Sequence, residues 1–182
     1  MFQSALYFPD GGALTRKVLA ESGEPARPLT EWALSYSRAT PLSHPEAWTL
    51  QHERDTYRDE YQAMLKLRKI DFILGPVYPA AAAVMGESQY WNYTAIWNMT
   101  DMPAAVFPSG LTVDPILDAL TDLDQKYVPR NGIDAREWIK YQSPARYERA
   151  PIALQLAGRH FKDEETLATA KLVKEIISDG AK

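Results

Sequence analysis

The sequence contains no cysteine among its 182 residues. Disulfide bonds, thiolate nucleophiles and cysteine-ligated metal sites are therefore excluded. Histidine is scarce, with only His44, His52 and His160, and no two of these have the i, i+4 spacing of a helical metal site. No carboxylate motif completes a site around them, so we expect the protein to bind no metal.

Long apolar runs are also missing. The apolar stretches, such as residues 152–157, fall far short of the roughly 20 residues that a transmembrane helix needs. The formal net charge is -4, and without a concentrated basic patch we expect no nucleic-acid partner. The first four residues lack the basic region and apolar stretch of a secretory signal, which predicts a cytoplasmic protein.

The usual carriers of a nucleophilic serine are absent too. The sequence has no Gly-x-Ser-x-Gly, no Ser-Ser pair and no Gly/Ser-rich loop. Its single Gly-Gly pair, Gly11 and Gly12, follows Pro9 and Asp10 and predicts a turn. We therefore assign no catalytic residue to this chain.

Hydrophobic periodicity predicts a single α/β region over residues 1–182. A long helix is expected from about residue 43 to residue 69, because Ser43 or His44 suits the N-cap and Pro45 the first helical turn. Short apolar runs at 70–74, 104–107 and 151–157 predict strands. Three strands are few for a sheet domain of this length, which suggests that polypeptide outside this sequence completes the sheet.

The last two segments have more particular expectations. The polar stretch 114–144 is predicted to be a long surface loop that contains short helices near Leu117 and Ala135. A final helix is expected with Asp163 as its N-cap. Its predicted buried face comprises Ala168, Leu172, Val173, Ile176 and Ile177.

An aromatic segment at residues 90–98 stands out from this background. On a helix, Tyr90, Tyr93, Thr94 and Trp97 would share one face. Such a stripe is either core packing or the aromatic wall of an apolar pocket, with Thr94 or Asn98 supplying a polar contact.

Three ordered segments of the chain resemble the amidase signature family. Residues 93–108 resemble its late "Y/F-T-x-x-x-N-x-x-x-x-P-A-x-x-x-P" segment, and residues 150–159, followed by 163–167, resemble its closing "P-x-G-L-Q-L-x-G-R … D-E-x-x-L" segment. Ala153 replaces the commoner glycine. Residues 71–76 with Pro79 and Ala80 resemble the element before them, and the upstream sequence is similar to the fungal acetamidase branch.

This resemblance implies the C-terminal part of an amidase fold, an incomplete mixed sheet flanked by helices. It implies hydrolysis of small-molecule carboxylic amides through a serine acyl-enzyme, with no metal or organic cofactor. The family's catalytic lysine, bridging serine and nucleophilic serine match no position here, so the complete enzyme would need an N-terminal amidase region as a partner. Tyr93, Thr94 and Trp97 are the residues expected to line the substrate cleft.

Two other functions stay open at this stage. The chain could be a catalytically inactive amidase-like module that binds a ligand or another protein through the retained cleft wall. It could also be an independent metal-free enzyme that uses residues with no recognisable motif.

Overall fold

A computed structural model describes residues 2–180, and for residues 2–4, 125, 179 and 180 it describes the backbone alone. The fold divides into two compact units. The first comprises Met1–Lys69 with Asn98–Asp101, and the second comprises Ile70–Trp97 with Met102–Lys182.

The first unit is helical. It contains α1 (Phe2–Tyr7), α2 (Ala13–Ser22), α3 (Pro28–Leu34) and α4 (His44–Leu67). Helix α4 begins where the sequence predicts, and its start is a capping box: Ser43 Oγ accepts from the Glu46 N–H, and the Glu46 carboxylate accepts from the Ser43 N–H at 2.8 Å. Leu65 anchors the buried face of this helix.

The second unit contains a three-stranded antiparallel sheet. Its strands are β1 (Phe72–Pro76), β2 (Ala104–Thr112) and β3 (Pro151–Gly158), in the order β1-β3-β2. The predicted strand at 104–107 is therefore too short. The register shifts between Pro108 and Thr112, and β2 continues beyond the proline that was expected to end it.

Alternation along the strands gives the sheet two distinct faces. One face packs against α8 (Asp163–Gly180), with Phe107, Leu156 and Ala170 at the centre of that core. Gln155 and Val106 are paired in the register and lie on the opposite face. The chain thus has the α/β class that the sequence predicts.

The last helix buries a different face from the predicted one. Thr166 and Ala170 are buried and Val173 and Ile177 are partly buried, whereas Leu172 and Ile176 are 55% and 62% exposed and Ala168 is also exposed. Val173 and Ile177 belong to the core, as expected. Asp163 is the first helical residue rather than the N-cap, because Lys162 O accepts the N–H of Thr166.

Three further helices complete the second unit or cross its boundary. They are α5 (Asn92–Thr100), α6 (Asp122–Gln125) and α7 (Gly132–Lys140), followed by a short 3-10 helix at Pro144–Tyr147. The helix expected near Ala135 is α7. The chain near Leu117 forms a turn instead, and α6 begins five residues later.

Candidate functional site

A cavity of about 690 Å³ opens in the second unit. The end of β1, the segment after it and α7 supply most of its wall. The cavity is lined by Pro76, Tyr78, Pro79, Ala80, Ala81, Val113, Asp118, Leu123, Asp124, Tyr127, Asp134, Glu137, Trp138, Tyr141 and Ile152. Its size and its mixture of aromatic, aliphatic and a few polar groups are typical of small-molecule sites.

Helix α7 places the largest side chains in the wall. Asp134 and Trp138 share one side of α7, Tyr141 follows as the residue at its C-cap, and all three line the cavity. The ring centroids of Trp138 and Tyr127 are 5.1 Å apart, which fixes both rings in a tilted pair. The wall is therefore formed before any ligand arrives.

Glu137 is the charged centre of this wall. It is only 8% exposed, and its carboxylate accepts from the Tyr78 hydroxyl at 2.5 Å, from Arg136 at 3.2 Å and from Lys140 at 3.0 Å. Burial and then the Glu137 carboxylate raise the pKa of Tyr78, so this hydroxyl stays protonated as a donor.

The cations around Glu137 also hold the segment that leads to α5. Arg136 donates to Gln89 O at 2.6 Å, and Lys140 donates to Glu87 O at 2.9 Å. Arg146 forms a short ion pair with the Glu87 side chain. These contacts attach α7 and Arg146 to residues 87–89.

The three residues predicted to line a cleft lie on α5, outside the lining of this cavity. Tyr93 is 38% exposed, and its ring is 5.2 Å from that of Tyr90, which in turn contacts the cavity residue Tyr78. The Thr94 hydroxyl donates to Trp91 O at 3.2 Å. Tyr90 precedes the helix, so it does not share a helical face with them.

Trp97 and Tyr93 are both attached to Gln155, a side chain that is 2% exposed. The Trp97 indole donates to Gln155 Oε1 at 2.9 Å, and Gln155 Nε2 donates to Tyr93 O and to Pro76 O, each at 2.7 Å. Pro76 lines the cavity. One buried amide thus connects the predicted aromatic segment to the cavity wall.

Sequence reasoning missed the cavity itself. Its residues come from chain positions 76–81, 113–141 and 152, which are brought together only by the fold. One sequence signal could have indicated it. Asp134, Trp138 and Tyr141 recur at helical spacing within the polar stretch 114–144, for which the sequence analysis predicts a surface loop.

No group of three or more His, Asp or Glu side chains among residues 5–124 and 126–178 could hold a metal ion. None of the helices in the same range is long and apolar enough to cross a membrane.

Comparison with known proteins gives one consistent result. A sequence profile of the family described as Amidase matches residues 16–167. A Schizosaccharomyces pombe protein named as a predicted amidase is 42% identical over 96% of this chain, and the acetamidase of Emericella nidulans is 28% identical over 97%. The chain spans 32% of the length of each of these relatives.

A solved structure agrees with these sequences. That of a fatty acid amide hydrolase superposes with a TM-score of 0.88 and 35% identity, and the match covers 96% of this chain and 31% of that one. A match this extensive covers the sheet, the cavity wall and the final helix together. The chain belongs to the amidase family.

Proposed function

We propose that this chain forms the C-terminal, cavity-bearing part of an enzyme that hydrolyses carboxylic amides to an acid and ammonia or an amine. The observation that carries the proposal is the preformed aromatic cavity of about 690 Å³ on a scaffold similar to a fatty acid amide hydrolase. The chemistry would proceed through a serine acyl-enzyme, as the family resemblance implies.

The catalytic lysine and both serines would lie outside this chain. No Ser-Ser pair or Gly/Ser-rich loop occurs in the 182 residues, and the relatives are about three times as long as the matched part. The part supplied here would bind and orient the substrate. A positioned substrate matters because orientation alone can supply much of a rate enhancement.

Two groups of residues would share the binding of the substrate. Trp138 and Tyr141 would contact the apolar body of the substrate in the cavity. Tyr93, Thr94 and Trp97 would form the second wall, on α5. Gln155 would keep the two walls in register, because it bonds to Tyr93, to Trp97 and to Pro76.

The test compares the isolated chain with a fusion to the N-terminal region of a family member. We expect no amide hydrolysis by the chain alone, since loss of the nucleophile or its base removes most of the rate enhancement. The fusion should hydrolyse simple amides, and Ser→Ala at its added nucleophile should abolish the activity.

A soluble, folded fusion that stays inactive on a broad amide panel would contradict the proposal. The absence of a nucleophile loop from the sequence would then favour an inactive amidase-like binding module. Serine-dependent turnover by the isolated chain would contradict the assignment of the catalytic residues to another region.

A further inference from the structure

The cavity has an unbalanced charge. Apart from tyrosines, the ionisable side chains that line it are four carboxylates: Asp118, Asp124, Asp134 and Glu137. No lysine, arginine or histidine is among its described lining residues. Glu137 pairs with both Arg136 and Lys140, which leaves one positive charge over beside the wall. The three aspartates carry three negative charges, so the cavity and this cluster together remain negative.

Asp134 keeps its charge because its hydrogen-bond donors are neutral. It accepts from the Tyr127 hydroxyl at 2.6 Å and from the Arg130 backbone N–H at 2.8 Å. These donors, the backbone N–H first, lower the pKa of Asp134, with a smaller contribution from the Arg130 guanidinium. That guanidinium is the cation that faces Asp134, and it does not line the cavity.

Asp118 and Asp124 are also held by neutral donors. Asp118 accepts from the backbone N–H of Asp114 at 2.9 Å. Asp124 accepts from the hydroxyl and the backbone N–H of Thr121, and these bonds lower its pKa. Neutral donors stabilise the ionised form but leave its negative charge in place.

Two tyrosines of the wall lie close enough to these aspartates for the carboxylates to contribute to their pKa. The hydrogen bond to Asp134 raises the pKa of Tyr127, followed by burial and the charge of that carboxylate. Burial raises the pKa of Tyr141, and the charge of Asp118 adds to it. Aromatic faces carry negative electrostatic potential as well, so rings and carboxylates attract the same kind of ligand.

We propose that this cavity favours ligand groups with an aryl or alkyl body and an ammonium head, and rejects carboxylates of the same shape. The inference rests on the proposed amidase function for its biological meaning. It then names a substrate class: amides whose group in this cavity is cationic or uncharged, and not anionic.

The test uses the 182-residue chain itself with three probes of similar size. They are 2-phenylethylammonium, neutral 3-phenylpropanamide and anionic 3-phenylpropanoate, titrated at pH 7 and followed by protein-observed NMR. We expect the ammonium to bind about fivefold more tightly than the carboxylate at low salt, with the amide between them. The ratio should shrink toward one at about 1 M salt.

Charge-removing variants locate the effect. Asp118→Asn should lower the ammonium-to-carboxylate ratio, and adding Asp134→Asn should lower it further, leaving Asp124 and the aromatic rings as the remaining source of selectivity. Asp59→Asn is the matched control, because it removes the same charge from an exposed position on α4, in the other unit. This control should leave the ratio unchanged.

Three results would overturn the inference. The carboxylate could bind as tightly as the ammonium, the double variant could keep the parental ratio, or no probe could bind with a Kd below about 10 mM. The amidase proposal is tested separately, by turnover of small neutral amides in the fusion. Such turnover without charge selectivity in the probes would refute this inference alone.

Discussion

The indole N–H of Trp97 donates to the side-chain oxygen of Gln155 across 58 residues of sequence, at 2.9 Å. The amide nitrogen of the same side chain donates to the carbonyls of Tyr93 and Pro76. Its hydrogen-bonding groups are therefore engaged in a nearly fully buried position. Such a network is specific because each unmade bond would leave a buried polar group without a partner.

Replacing Gln155 by methionine tests how much this hydrogen-bond network contributes to the free energy of unfolding. Gln155→Met keeps the length of the side chain but removes its hydrogen bonds with the Trp97 indole N–H and with the carbonyls of Tyr93 and Pro76. We expect a loss of about 2–4 kcal/mol in the free energy of unfolding, measured by urea denaturation. Gln51→Met on the exposed surface of α4 is the control and should change stability little. Equal midpoints for the two variants would contradict the prediction.

Two tryptophans offer a contrast between the cavity and the α5 wall. In the active fusion, Trp138→Ala would enlarge the cavity and Trp97→Ala would remove part of the second wall. Each should shift preference among acyl chain lengths by about 1–3 kcal/mol in kcat/KM. Trp97→Phe separates the hydrogen bond to Gln155 from the ring. If Trp97→Ala loses stability but keeps the parental preference, Trp97 is a core residue and only the cavity selects the substrate.

Gly158 has no room for a side chain. A Cβ at this position would lie 1.9 Å from Thr166 Oγ1, and Thr166 is only 1% exposed. Gly158→Ala should therefore destabilise the chain by about 1–3 kcal/mol, measured by thermal or urea unfolding. Gly75→Ala in β1 is the control, because nothing lies within 4 Å of its Cβ position. Thr166→Ala should partly rescue Gly158→Ala, and strictly additive losses would contradict a direct clash.

The acid sensitivity of the cavity wall should depend on Asp134. The pKa of Asp134 is lowered in the folded state, first by the Arg130 backbone N–H and then by the Tyr127 hydroxyl. Its contribution to stability is therefore present above the unfolded value of about 3.9 and is lost as the pH falls through the folded value. Asp134→Asn should be less stable than the parent at about pH 7, and the difference should shrink below about pH 4. A difference that stays constant over that range would contradict the assignment.

The outer face of α8 should promote self-association of the isolated chain. Leu172 and Ile176 are more than half exposed, on a helix whose inner face already packs against the sheet. Changing both to glutamine should reduce association in analytical ultracentrifugation with little change in the unfolding midpoint. Val173→Gln, on the inner face, should instead lower the midpoint. A strictly monomeric parent chain would contradict the prediction.

The sequence predicted those elements whose local signals agree with the tertiary structure. Ser43 and Glu46 form a capping box by themselves, so the start of α4 could be placed from four residues. The β3 strand was also predicted, because its apolar run is bounded by Pro151 and Gly158. Neither of these two predictions depends on contacts with residues far away in the sequence.

The misses arose where the local signal was ambiguous. Apolar residues surround much of α8, so periodicity alone could not decide between Val173, which is in the core, and Leu172, which is not. Pro108 favours the end of a strand, but β2 lies at the edge of the described sheet, where a missing N–H is tolerated, and it continues to Thr112. The cavity depends on contacts between distant segments, which no local pattern encodes.

The strand order has a consequence for synthesis of the chain. The central strand, β3, comes last in the sequence and is hydrogen-bonded to both β1 and β2. During N-to-C translation, β1 and β2 leave the ribosome without a partner strand and must wait for residues 151–158. A stop codon shortly before Pro151 would leave no sheet in the described part of the fold, although about four fifths of the chain would have been made. The last of the three strands to be translated therefore decides whether β1 and β2 are joined in the described sheet.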